Sequence, residues 1–246
     1  EEELSKLLAA PAPAAYLDEK ILKVIIPELS APALQAVKPV VDACPAGTED
    51  LPVRWAALLM SLGEDGTRKA LKRLRCSNTC IEQTAVLVRE VHPGAFSSDT
   101  IWGIPSPALL PAAAGSHPPD GPQRNSRTGL GQAPAAPDTA IRIRKLLGRY
   151  DLHTVQRLAA LGAAMEPEQA ADFAAQAELA AQLDADGVCC RVSQLAVNGR
   201  DLMAAGIPAG PGLRRTLEAL LDAVVRGQLP NEQQCLLDAA GQISAS

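Results

Sequence analysis

The chain has 246 residues, 47% of them hydrophobic, 21% charged and 2% aromatic, with a formal net charge of −5. That length is enough to bury a core in one extended or two smaller domains, and the acidic balance excludes affinity for a polyanion driven by overall charge, so any nucleic-acid contact must come from local basic faces. Alanine and leucine in excess, with few β-branched or aromatic strand formers, predict an all-α fold, read as elongated helical body and tail domains. No uncharged apolar run approaches the ~18 residues of a membrane span, and no basic-then-apolar leader is present, so a cytoplasmic location is expected.

The chain opens Glu1-Glu2-Glu3 without an initiator Met and runs straight into Leu4, Leu7 and Leu8 at helical spacing. It is expected to start inside a helix, as a fragment of something longer. From there to about Phe96, Pro27, Pro39, Pro45 and Pro52 are expected to break helical segments. In "PVRWAALLMSLGE", Val53, Ala57, Leu58 and Met60 to Leu62 form an apolar stripe wide enough for a buried helix, with Gly63 as its stop. The following "DGTRKALKRLRCSN" places Arg68, Lys72 and Arg75 at i, i+4 and i+7, away from Leu71 and Leu74. This is a basic helix face, and the plainer reading is a solvated surface, since a charge stripe is what any exposed helix needs.

Residues 98–137 are rich in Pro, Gly, Ala and Ser and carry no sustained period, which predicts a poorly ordered linker between a neck/body domain at 1–97 and a body/tail domain at 138–246. Trp102, flanked by Ile101 and Ile104, is either a docked anchor or part of a free tail. Helices resume at "DTAIRIRKLLGRYD", with Arg142, Arg144, Lys145 and Arg149 as a second basic group. Asp138 is expected as an N-cap, Pro167 as a first-turn proline and Gly187 as a helix stop. Asn231 followed by Gln234 reads as a capping box. The six cysteines form no Cys-x-x-Cys pair and the three histidines lie far from them, so neither a zinc site nor a disulfide framework is expected.

The most informative stretch runs from Asn198 to Glu232. It reads as an Asn-Gly turn, a short apolar helix, the corner Gly206-Ile207-Pro208-Ala209-Gly210-Pro211-Gly212, and a helix with Leu213, Leu217, Leu220, Leu221, Val224 and Val225 at helical spacing, closed by Gly227. The corner leaves a helix N-terminus beside Arg214 and Arg215, where unpaired N–H groups and the helix dipole favour phosphate. The plainer alternative pairs Arg214 with Glu218 one turn later.

"LAVNGRDLMAAGIPAGPGLRRTLEALLDAVVRGQLPNEQQCLL" resembles the C-terminal tail signature of CCA-adding tRNA nucleotidyltransferases, with its Asn-Gly-basic-Asp-Leu start, Gly-Ile-x-x-Gly-Pro corner and closing Leu-Pro-Asn. "EEELSKLLAAPAPAAYL", "IIPEL", "RWAALLMSLGE" and "ALKRLRCSN" look like the helical neck-to-body region of the same family. The resemblance implies a full enzyme that adds cytidine and adenosine to the tRNA 3′ end without a template, using CTP, ATP and Mg2+. This portion would hold the acceptor and T-arm stack. The tRNA contacts expected on that basis are Arg68, Lys72, Arg75, Arg142, Arg144, Lys145, Arg149, Asn198, Arg200, Gly210, Gly212, Arg214 and Arg215.

The family's catalytic head, with a paired Asp-x-Asp after a Gly-rich strand turn, finds no counterpart here. Asp184-Ala185-Asp186 ends an Ala-rich helix, Glu64-Asp65-Gly66-Thr67-Arg68 matches the family's Glu-Asp-x-x-Arg by letter only, and Leu59-Met60-Ser61 stands where relatives of phosphohydrolase ancestry have Leu-His-Asp. No catalytic residue, metal ligand or cofactor site is therefore expected in this chain, which on its own should be inactive. A related poly(A) polymerase and a noncatalytic helical scaffold for protein binding are the rival readings; the oligomeric state is left open.

Overall fold

The computed structural model describes residues 2–91 and 137–244. Almost all of the expected linker, with Ile101, Trp102 and Ile104, lies outside the described residues. Among those described the structure is helical, with short 3-10 turns and no strand. An all-α fold is what the composition predicts.

Helix α1 (Glu2–Ala9) turns Leu4 and Leu8 inward. After a 3-10 turn at Pro13–Tyr16 comes α2 (Glu19–Ile25), capped by the Asp18 carboxylate, which accepts from the Lys20 and Ile21 N–H groups. Helix α3 (Ala31–Ala43) starts behind the Ser30 hydroxyl and runs through Pro39 without breaking. Pro39 was expected to interrupt a helix; burial of Leu34, Val37 and Val41 on either side of it outweighs the one lost backbone bond.

Helix α4 (Leu51–Leu59) carries the stretch read as an apolar stripe, but every residue from Pro52 to Leu59 is buried. The stripe became a whole circumference because α1, α3, α6 (Asn78–Val91) and α8 (Leu152–Met165) all pack on it. A 3-10 turn at Met60–Leu62 follows, and Gly63, at φ 67°, closes that turn. It is a shorter stop than expected, since α5 (Gly63–Arg73) begins at the same glycine.

Helix α7 (Pro137–Arg149) already includes Asp138 in its first turn, so Asp138 does not precede the helix as an N-cap. Asp151 caps α8 instead, accepting from the Thr154 N–H. Pro167 opens a 3-10 turn, Pro167–Gln169, that leads into α9 (Ala170–Ala185). Asp184 and Ala185 are the last residues of α9, and Gly187 at φ 63° ends it, its N–H bonding the Asp184 carbonyl while that of Val188 reaches Leu183. This is the expected helix end. At Gly162 of α8 a Cβ would stand 2.5 Å from the Phe173 ring, so α8 and α9 approach as closely as a glycine allows. The chain finishes with a 3-10 turn at Val192–Gln194, then α10 (Gly199–Ala204), α11 (Pro211–Val225) and α12 (Gln233–Ser244).

Two apolar clusters hold these helices. The larger runs from Leu4 to Cys190 and joins α1–α6 to α7–α9 across the undescribed stretch. The smaller contains Cys189, Leu195, Val197, Leu202, Ile207, Leu220, Leu236 and Ala240. The adjacent cysteines thus face different cores, and the change from one core to the other falls at residues 189–190. Cys44, Cys76, Cys189 and Cys190 are buried, and burial pushes the Cys44 thiol up to about 12, which makes it an inert filler.

Arg54, on the buried helix, is 2% exposed. Its guanidinium donates to the carbonyls of Leu8 (2.5 Å) and Ala10 at the end of α1, and to that of Cys44 (2.9 Å) at the end of α3. Removing it leaves carbonyls buried without a donor. Arg54→Met is expected to cost about 3 kcal/mol or more, read as a lowered urea midpoint with far-ultraviolet circular dichroism still helical.

Candidate nucleic-acid interface

Helix α7 buries Ile143, Leu146 and Leu147, which turns its basic residues toward α11 and solvent. Its end is fixed from two sides. The Tyr150 hydroxyl receives a bond from Arg89 (2.7 Å) and donates to Glu90, both on α6. Arg191 donates through Nε to the Leu147 carbonyl (3.2 Å) and through Nη2 to that of Tyr150 (3.0 Å), satisfying carbonyls that the helix itself cannot. This approach needs Gly148, where a Cβ would lie 2.4 Å from the Cys190 carbonyl oxygen.

Helix α11 docks on the same helix. Arg144 donates to the Val225 carbonyl at the end of α11 (3.0 Å), and Lys145 pairs with Asp222 (3.1 Å). Between α7, the turn at 192–194 and α11 lies an open groove of about 880 Å³ lined by Lys145, Arg149, Arg191 and Arg214, with Glu218 and Asp222 on the α11 wall. Val192, Leu221 and Val225 add apolar surface. The structure therefore brings together two basic groups that lie more than sixty residues apart in sequence. Arg214 pairs with Glu218 at 2.7 Å, the plainer alternative for that residue, and Asp222 also binds Arg226 at 2.6 Å. Burial pushes the Asp222 carboxyl up, but Lys145 and Arg226 outweigh it and leave it below the usual aspartate value.

The corner beyond the groove is built differently from its reading. Asn198 and Gly199 start α10 and make no turn: Asn198 Oδ1 accepts from the Arg200 (2.8 Å) and Asp201 (3.3 Å) N–H groups, while Asp201 accepts from the Asn198 N–H (2.8 Å). This is a reciprocal capping box, so the Asn198 side chain is committed to the backbone. Gly206, at φ 95°, closes α10, and Gly210, at φ 147°, precedes Pro211 at the start of α11, which has no side-chain cap. Added Cβ atoms at Gly210 and Gly212 would meet nothing within 4 Å, so the corner is open on that side. Asn231 is not part of a capping box with Gln234. Its side chain accepts from the Ala196 N–H (2.9 Å) and donates to the Gln194 carbonyl (2.9 Å), because α12 begins at Gln233 and leaves Asn231 in the loop facing that turn.

Of the other expected residues, Arg200 and Arg215 are exposed and Arg142 is half-buried, and none of the three lines the groove. Arg68 is held by Glu64 (3.0 Å) and Glu82, so the Glu64–Arg68 letter match is an ion pair across one helical turn. Lys72 is exposed on α5, but Arg75 lies beyond that helix at φ 61°, and the i, i+4, i+7 row is not a continuous face. The Arg75 and Cys76 N–H groups close the helix on Lys72 and Leu71. Arg191 was not foreseen: it sits in a stretch without period, and nothing local marks it as facing α7. Among the described residues no group of three or more His, Cys, Asp or Glu side chains could hold a metal ion, and no helix is long and apolar enough to cross a membrane.

Residues 149–240 match the family model described as tRNA nucleotidyltransferase domain 2. This C-terminal region is similar to that family over the matched residues. It supplies Arg149, Arg191, Arg214, Glu218 and Asp222 to the groove, while Lys145 lies earlier on α7, the helix that Arg149 ends. The chain is also 48% identical over 50 residues to a CCA-adding enzyme of Limosilactobacillus fermentum (strain NBRC 3956 / LMG 18251). That similarity covers 20% of this chain and 12% of the relative. No solved structure matches. Gly148→Ala is expected to push α7 away from the Cys190 strand of backbone and cost about 1–3 kcal/mol, seen as a lower denaturation midpoint.

Proposed function

We propose that the chain is the tRNA-holding portion of a CCA-adding tRNA nucleotidyltransferase and acts in the cytoplasm. The observation that carries this reading is the convergence of Arg149, Arg191 and Arg214, all within the matched region, on one groove. Folded RNA is gripped mainly through phosphates and shape, and a row of guanidinium groups beside a small apolar patch suits both. The acceptor and T-arm stack would lie along α7 and the start of α11, with Arg142, Arg200 and Arg215 as outlying contacts and the open backbone at Gly210 and Gly212 allowing close approach. Arg68, Lys72 and Arg75 would add a more distant contact on the body. In this reading residues 1–97, with α7–α9, carry the tail, and 98–137 is a connecting stretch.

Nucleotide addition by the full enzyme would use CTP, ATP and Mg2+ on a separate head. Asp184 and Asp186 stand at the C-terminal end of α9, a helix end followed by Gly187, where this reading assigns them no metal. Incubation of this chain with labelled ATP and tRNA lacking its terminal adenosine is expected to give no incorporation. Activity that survives repurification and disappears in Asp184→Ala/Asp186→Ala would overturn the reading of that pair as a helix end only.

The binding role is tested by Arg149→Ala and Arg214→Ala/Arg215→Ala in a salt titration of tRNA binding. Each lost phosphate contact is expected to reduce the slope of log affinity against log salt by roughly 0.7 to 0.9, with circular dichroism unchanged. Unchanged affinity and slope in a folded protein would remove the groove from the tRNA contact.

A further inference from the structure

This inference rests on the tRNA-holding reading and concerns what selects the RNA. The groove is not a bare cationic surface. Glu218 holds Arg214 at 2.7 Å, and Asp222 holds Lys145 at 3.1 Å and Arg226 at 2.6 Å. The two carboxylates stand one helical turn apart on α11 and so form a row along one wall. Both pairs are open to solvent: Arg214 is 84% and Glu218 52% exposed, Lys145 39% and Asp222 44%. Ion pairs this exposed are weak, and a phosphate can replace either carboxylate. Replacement leaves the displaced carboxylate beside the incoming anion, a repulsion that one phosphate engaging one cation does not offset.

We propose that Glu218 and Asp222 determine the specificity of the groove by occupying Arg214 and Lys145 as competing anions, so that a folded RNA with several phosphates at fixed positions displaces them and flexible single strands or mononucleotides do not. A rigid RNA engages Lys145, Arg149, Arg191 and Arg214 together without the ordering cost that a flexible strand incurs. That shared engagement overcomes the repulsion. Lys145 and Arg226 keep the Asp222 carboxyl below the usual aspartate value, so it stays a charged competitor near neutral pH.

The full chain, unaltered and as Glu218→Gln or Asp222→Asn, is titrated by fluorescence anisotropy with labelled tRNA and with a poly(U) strand of equal length. Glu19→Gln, at an exposed acid on α2 outside the groove, controls for overall charge. Each groove variant is expected to bind tRNA about two- to fivefold more tightly and poly(U) by a larger factor, so that preference for tRNA falls. Equal gains for both RNAs, no gain, or the same gain in Glu19→Gln overturns the proposal. Asp222 fastens α11 to α7, so if Asp222→Asn lowers the melting temperature, Glu218→Gln decides the matter, because its pair lies within α11 alone. An unaltered protein that binds no tRNA takes down the functional reading and this proposal together. Normal tRNA binding with unchanged preference in Glu218→Gln takes down this proposal only.

Discussion

The contact on which the architecture depends is an arginine side chain docked on the carbonyl end of a helix. The last carbonyls of a helix have no internal partner, and burying them undonated is costly. Here Arg54 serves the ends of α1 and α3, Arg73 reaches the Ile25 carbonyl at the end of α2, Arg191 closes α7, and Arg144 closes α11. Short helices that cannot bury much surface individually are thereby tied end to side. The guanidinium suits this task because its donors lie in one plane and can reach two carbonyls together.

The same chemistry assembles the groove. Arg144 and Arg191 hold α11 and the turn at 192–194 against α7, and the cavity is the space these contacts leave between the helices. Arginines in this protein therefore divide by what they face. Arg144 has its reach taken up by a backbone carbonyl of α11, whereas Arg149 and Arg214 project at the rim, where solvent or a ligand can reach them. Arg191 does both: it closes a helix and lines the groove. Charge on the wall is balanced by Glu218 and Asp222, in keeping with a chain whose net charge is −5.

Helix ends governed by neighbouring residues were legible. Gly187 and Gly227 terminate α9 and α11 at positive φ, as a residue without Cβ allows, and the leucine period of α11 set its buried line at Leu220. Arg75 shows the limit, because it takes the same left-handed position at the end of α5 without being glycine and so gives no warning that the helix has stopped. Pro39 misled in the opposite direction, being carried inside α3 by the packing around it. Asn198 and Asn231 have the same chemistry, yet one caps its own helix and the other ties two loops across the tail.

The sequence by itself determined the helical class, the glycine stops of α9 and α11, the buried line of α11 and the signature of the C-terminal region, since these follow from propensity, period and residues close along the chain. Tertiary structure alone decided that α4 is buried all round, that one core joins helices on both sides of residues 92–136, and that Lys145, Arg149, Arg191 and Arg214 share a groove. Those outcomes depend on which helices meet and at what separation. A glycine such as Gly148 shows why: its role is set by the 2.4 Å that a Cβ would leave to the Cys190 carbonyl, a distance to a residue forty-two positions away, which no local pattern encodes.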